Sequence, residues 1–182
     1  YRLEGPEGPR FETADSARAT LKFLLARRLI EAGVRCVSLS LSDVDTHSSN
    51  FPRMRHLLPI LDTGLSALIE DLSDSGMLEE VVIVVWGEFG RTPRINGQGG
   101  RDHWPAVSPA ILAGGGIRGG VVHGQTDRWA GAVTGGAVTY QDVVATLYHL
   151  MGLDPAATLL TDSSGRPHPL VERGRPIREI LA

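Results

Sequence analysis

The sequence predicts an α/β fold with a mostly parallel sheet, and three observations lead there. Helical and strand-like periods alternate along the chain. The run VVIVVW (81–86) is continuously apolar, as a parallel strand buried on both faces would be. Polar clusters at 43–47 and 88–91 fall just past two strand candidates, where open α/β sheets gather their ligands.

The elements follow in order. Residues 1–13, opening YRLEGPEGPR, read as a flexible connector. The chain starts at Tyr1 with no Met and no signal peptide, and 14–182 reads as the C-terminal portion of a longer domain. Residues 15–32 predict a helix, with Leu21, Leu24, Leu25 and Leu29 at 3-and-4 spacing, Thr13 or Asp15 as cap and Gly33 as stop. Val34–Leu41 (VRCVSLSL) alternates and predicts a strand, followed by the polar loop SDVDTHSSN. Residues 53–75 predict a second helix with Leu58, Leu61, Leu65, Leu68, Ile69 and Leu72 on its apolar side. Pro59 should kink it or mark its start, and Gly76 should close it. After the strand at 81–86, residues 87–109 show neither period and read as one long irregular loop, of the kind that is usually functional or disordered. Ala110–Ala113 and Val121–Gly124 predict short strands, 139–151 a third helix, and IREILA a short terminal one.

Composition sets outer limits. The 182 residues are 42% apolar and 21% charged, enough to bury a sizeable core. The 18 Lys and Arg against 21 Asp and Glu leave a net charge of −3, so no basic excess points to nucleic acid or to an anionic membrane surface. No apolar run is long enough to span a bilayer. Cys36 is the sole cysteine, which excludes an internal disulfide and a Cys-based zinc motif. Its place in the predicted strand makes it a buried core residue.

Three groups of residues carry chemistry. Asp43, Asp45 and His47 put carboxylate oxygens and an imidazole within five residues, the donor types that suit divalent cations. The same residues also suit a capped turn. Glu88 follows the apolar strand after one glycine, either solvated at the sheet rim or recruited into a site. Arg91 offers a planar fork for an anion. His103 can ligate a metal or shuttle a proton, and Asp102 can ligate or orient a histidine; an Arg101–Asp102 ion pair anchored by Trp104 is the plainer alternative. No Gly-x-Ser-x-Gly supports a serine hydrolase, and the glycines at 114–116 lack the Lys-Ser/Thr of a phosphate loop.

Taken together, DTH (45–47), VVIVVWGEFGRTP (81–93), GGRDHWP (99–105) and LAGGGIRGG (112–120) resemble the bacterial family known as domain of unknown function 1501. That family looks like a branch of the alkaline phosphatase and sulfatase superfamily. The resemblance runs from about Ala14 to the end of the chain. It implies a three-layer α/β/α sandwich, alkaline-phosphatase-like and partial here, with a metal site at the carboxyl edge of the sheet. It further implies a metal-dependent hydrolase of phosphate or sulfate esters, acting on a small-molecule or carbohydrate substrate, or else a non-catalytic remnant of the same fold. In the phosphatases an Asp and a His stand four residues apart after one strand, as Asp43 and His47 do here, but relatives in this branch usually keep only the DTH portion; the resemblance thus implies a divalent ion (zinc, manganese or calcium) on Asp45, His47, Glu88 and His103. Arg91 and Arg101 would then meet the oxyanion, with Asp102 beside them. Two departures accompany it: Phe89 stands where the phosphatases have a histidine, and the superfamily nucleophile belongs to an N-terminal half not seen here. Relatives with export signals imply the periplasm or cell envelope.

Overall fold

The computed structural model describes residues 19–182, so the connector expected over 1–13 lies outside the described residues. Within it, 19–78 with 89–105 form one compact unit, and 79–88 with 106–182 form a second.

The first unit is built on two helices, α1 (Ala19–Glu31) and α2 (Asn50–Asp74). The face of α1 that is buried is Ala19, Thr20, Phe23 and Ala26, while Leu21 and Leu25 of the expected stripe are exposed. On α2, Leu57, Ile60, Gly64, Leu68 and Leu72 repeat at helical spacing and form the buried face. Gly64 lets the helices approach: a Cβ there would lie 2.4 Å from the Phe23 ring. Pro59 sits inside α2 without ending it. The helix closes at Ser75, whose hydroxyl donates to the Asp71 carbonyl (2.7 Å), and Gly76 follows with the left-handed φ of 71° that glycine tolerates.

Two expectations fail in this unit. Residues 34–41 form no strand: among the described residues they have no ladder partner, they are mostly exposed, and Cys36 is exposed with them. Alternation prepares a segment for a sheet, but only a neighbouring strand satisfies its main chain. The stretch 87–109 is also not one irregular loop. It contains β2 (Gly90–Arg91) and β3 (His103–Trp104), paired antiparallel with Gly90 opposite Trp104 and Arg91 opposite His103.

In the second unit, β1 (Val82–Trp86) pairs antiparallel with β4 (Ala110–Gly114), Val84 standing opposite Leu112. Helix α3 (Tyr140–Leu150) starts at a capping box, in which Thr139 and Asp142 satisfy each other's main-chain amides. Val143 packs with Ile177 and Ile180, and Val84, Leu112 and Ile117 close around them. Thr146 is fully buried; its hydroxyl donates to the Asp142 carbonyl (2.7 Å) and accepts from the Ile177 amide (2.9 Å), tying the C-terminal segment to α3. The tail ends in a 3-10 turn, Arg178–Ile180, in place of the expected helix. Two further pairs complete the unit: β5 (Gln125–Thr126) with β6 (Val133–Gly135), and β7 (Leu159–Thr161) with β8 (Pro167–Pro169). Residues 121–124 are not a strand; the pairing starts one residue later.

Among the described residues every sheet is thus a two-stranded antiparallel pair. The expected three-layer sandwich on a mostly parallel sheet is overturned. An apolar run reports burial and says nothing about direction; β1 meets a partner that returns antiparallel, with no helical crossover between them. No described helix is long and apolar enough to cross a membrane.

Two outcomes test this packing. Thr146→Val keeps the side chain's shape but strands the buried Ile177 amide, so urea unfolding should show a loss of about 1–3 kcal/mol with an unchanged m-value. In the turn between β7 and β8, main-chain donation from Arg166 leads the interactions that hold the Asp162 carboxyl at about 2, helped by the Ser164 hydroxyl and His168. A lowered carboxyl stabilises above its unfolded value and stops doing so as pH falls towards its folded one. The β7–β8 hairpin should therefore persist through mild acid and loosen as pH approaches 2, read from the chemical shifts of Ser164 and Arg166 amides.

Candidate metal centre

The centre lies wholly in the first unit and begins with one inward residue. Thr46 is fully buried, its hydroxyl donating to Asn50 Oδ1 (2.6 Å) and its carbonyl accepting from the Arg101 amide (2.8 Å). With Thr46 anchored inward, its neighbours Asp45 and His47 are exposed, as alternation along extended chain requires.

A second segment is laid against the first by a glycine and an asparagine. A Cβ on Gly100 would lie 2.0 Å from both the carbonyl carbon and the oxygen of His47, so no side chain fits there. The bridge between Ser48 and Gly99 continues the same approach. Asn96 locks it. Its Nδ2 donates to the His47 carbonyl (2.9 Å) and to Asp102 Oδ1 (3.1 Å), while its Oδ1 accepts from the Gln98 and Gly100 amides, each at 2.9 Å. Thr92 then pairs with Asp102 through both main chain (2.8 Å) and hydroxyl (3.1 Å), which sets His103 at the start of β3.

These constraints bring three donor atoms together. His47 Nε2 is 3.0 Å from Asp45 Oδ1 and 3.1 Å from His103 Nε2, and His103 Nε2 is 3.2 Å from the same Asp45 oxygen. The triangle is almost equilateral. Ligand atoms about 2.0–2.1 Å from a zinc ion stand roughly 3.0–3.3 Å apart in octahedral or tetrahedral array, so the spacing fits. Among the described residues this is the group of three able to hold a metal ion. His47 Nδ1 is 2.9 Å from Asp102 Oδ1. When that nitrogen carries the proton of a neutral ring, Nε2 presents a lone pair to Asp45 and to His103, and a cation or a proton must lie between them. The Phe89 ring packs 4.4 Å from the His103 ring, and Arg91 Nη1 donates to Asp45 Oδ1.

Both carboxylates titrate low. For Asp45, lost hydration pushes the carboxyl up, but hydrogen bonds from Arg91 and His103 and the charges of Arg91 and His47 outweigh it. For Asp102 the hydrogen bond to His47 leads, followed by the Asn96 amide.

Of the residues singled out from sequence, Asp45, His47, Asp102, His103 and Arg91 come together. Asp43, with a left-handed φ of 66°, is not in the group. Glu88 belongs to the second unit, where its carbonyl accepts from the Tyr140 hydroxyl (2.8 Å). Arg101 donates through Nη1 to the carbonyls of Thr92 (2.6 Å) and Pro93 (2.8 Å). The site does not sit at the carboxyl edge of a parallel sheet: Asp45 and His47 come from extended chain and His103 from a hairpin strand. Asn96, Gly100 and Thr46 were missed. The Asn-Gly at 96–97 and Gly-Gly at 99–100 signal turns, and a turn signal does not reveal which peptide it will press against.

Fold and site define a two-unit protein with an open carboxylate–histidine cluster of metal-ligand type. The chain belongs to the family described as Protein of unknown function (DUF1501), whose family model matches residues 5–181. No curated protein and no solved structure matches the chain.

Two measurements check the geometry. Gly100→Ala should displace the His47–Ser48 main chain and separate the two imidazoles, lowering stability by about 1–3 kcal/mol in denaturant titrations as overpacked sites do. In carboxyl-detected NMR titrations, Asp102 should titrate below the ordinary value near 3.9, and His47→Ala should move it up. An unmoved Asp102 would mean that the imidazole is not its partner in solution.

Proposed function

We propose that Asp45, His47 and His103 hold one divalent cation, and that the protein acts in the hydrolysis of phosphate or sulfate esters of small molecules or carbohydrates. The observation that carries the reading is the triangle of donor atoms at 3.0–3.2 Å with His47 braced by Asp102. Imidazole nitrogens in the set favour zinc or manganese over calcium, which prefers an all-oxygen shell. The ester chemistry rests on reading the family that DTH, VVIVVWGEFGRTP and GGRDHWP mark as a branch of the alkaline phosphatase and sulfatase superfamily.

A bound cation would polarise the ester oxygen and acidify a coordinated water. The chain's own residues do the rest. Asp102 fixes the ring of His47 and so the direction of its Nε2. Arg91 presents a planar guanidinium beside the cluster, suited to an oxyanion. Arg101, spent on two carbonyls, shapes the loop that carries Asp102 and His103. The three ligand side chains are about half exposed, which leaves the cluster open to a substrate.

A second reading, a metal-dependent binding protein without catalysis, is favoured by one feature. Thr46, the hydroxyl residue between the two first ligands, is turned into the core and bonded to Asn50, so it offers no nucleophile.

Elemental analysis after dialysis against zinc should give one ion per chain, lost in His47→Ala and in His103→Ala. Stoichiometric metal in both variants would remove these residues from the site. Turnover of an aryl phosphate or aryl sulfate by the loaded chain, abolished in His103→Ala, supports the hydrolase; metal without turnover supports the binding protein.

A further inference from the structure

Asp45 Oδ1 is claimed by more than one partner. It accepts from Arg91 Nη1, and it is also the oxygen 3.0 Å from His47 Nε2 and 3.2 Å from His103 Nε2. The ligand triangle is built on that atom, so a cation and the Arg91 guanidinium call on the same lone pairs. The Arg91 side chain is 18% exposed against 57% for Asp45, so its charge is held against the cluster in a position that salt screens less well. Its main chain is fixed by pairing with His103 in the β2–β3 ladder, and the Phe89 ring lies 5.7 Å from its Cζ.

We propose that Arg91 couples cation binding to anion binding at this site, an inference that rests on the metal reading above. Bound to Asp45, the guanidinium opposes the cation by charge and by occupying the ligand oxygen. A tetrahedral oxyanion matches the planar guanidinium fork and competes with Asp45 Oδ1 for it. An anion that engages Arg91 therefore releases Asp45 to the cation and supplies negative charge beside it. Cation and oxyanion then each tighten the binding of the other, by equal factors, because linkage is reciprocal. The site would stay weakly loaded until a phosphate- or sulfate-bearing ligand arrives. Arg91 acts as a positioning residue in this scheme, with no bond made or broken.

The test is calorimetric titration of zinc chloride into the whole chain, in sodium chloride and in sodium sulfate at equal ionic strength. Sulfate should tighten zinc binding about tenfold, within the usual 5–150-fold range of coupling. Arg91→Gln should bind zinc about tenfold more tightly without sulfate and lose the sulfate effect. Arg91→Lys, which keeps the charge without the fork, should resemble the parent in chloride and respond weakly to sulfate. Zinc binding that sulfate leaves unchanged in the parent chain overturns the coupling alone, and needs no variant to be read. A sulfate effect retained in Arg91→Gln overturns Arg91 as its source. Failure of every form to bind zinc overturns the metal reading and the coupling with it.

Discussion

The contact of Gly100 with the His47–Ser48 peptide is the constraint on which the site depends. Asp45 and His47 lie more than fifty residues from Asp102 and His103 along the chain. They meet because residues 96–100 lie flat on residues 47–48, and that needs a residue with no Cβ. Asn96 spans the seam with all its polar atoms in use, and Thr46 pulls the first segment into the core from below. Exposed side chains such as these are ordinarily free to choose rotamers. Here the main chains beneath them are fixed by hydrogen bonds on both sides, which is how an open cluster keeps three donor atoms within 3.2 Å.

The cluster is also electrostatically poised. Two low-titrating carboxylates bracket His47, one on each ring nitrogen, so the imidazole is held by charge as well as by direction. Arg91 adds a positive charge on the Asp45 side. An arrangement in which one carboxylate oxygen faces a guanidinium and two imidazoles has more partners than lone pairs to serve them well. Such competition makes a small site sensitive to what else is bound.

The sequence made some of this legible. The second helix lies close to its predicted span and the first stops just before Gly33 as predicted, its expected start at 15–18 lying outside the described residues, because leucine spacing and the glycines at 33 and 76 are local signals. The buried face of α1 was missed: packing chose Ala19, Phe23 and Ala26, since Gly64 on α2 leaves room for an aromatic ring and a small pair beside it. Strand direction was not readable, because VVIVVW is equally compatible with parallel and antiparallel neighbours. The alternation of 34–41 carried no information about whether a partner strand exists. At the site, five of the singled-out residues converge, since their donor chemistry is visible in one dimension. Glu88 falls in another unit, and the small residues that build the site were silent, because a close main-chain approach leaves no mark except a glycine.

Zinc-edge anomalous diffraction from crystals of the zinc-loaded chain would test the convergence most directly. The account predicts one peak about 2.0–2.2 Å from Asp45 Oδ1, His47 Nε2 and His103 Nε2. A peak confined to another carboxylate–imidazole pair, such as Asp162 with His168, or no peak at these three residues, would contradict it.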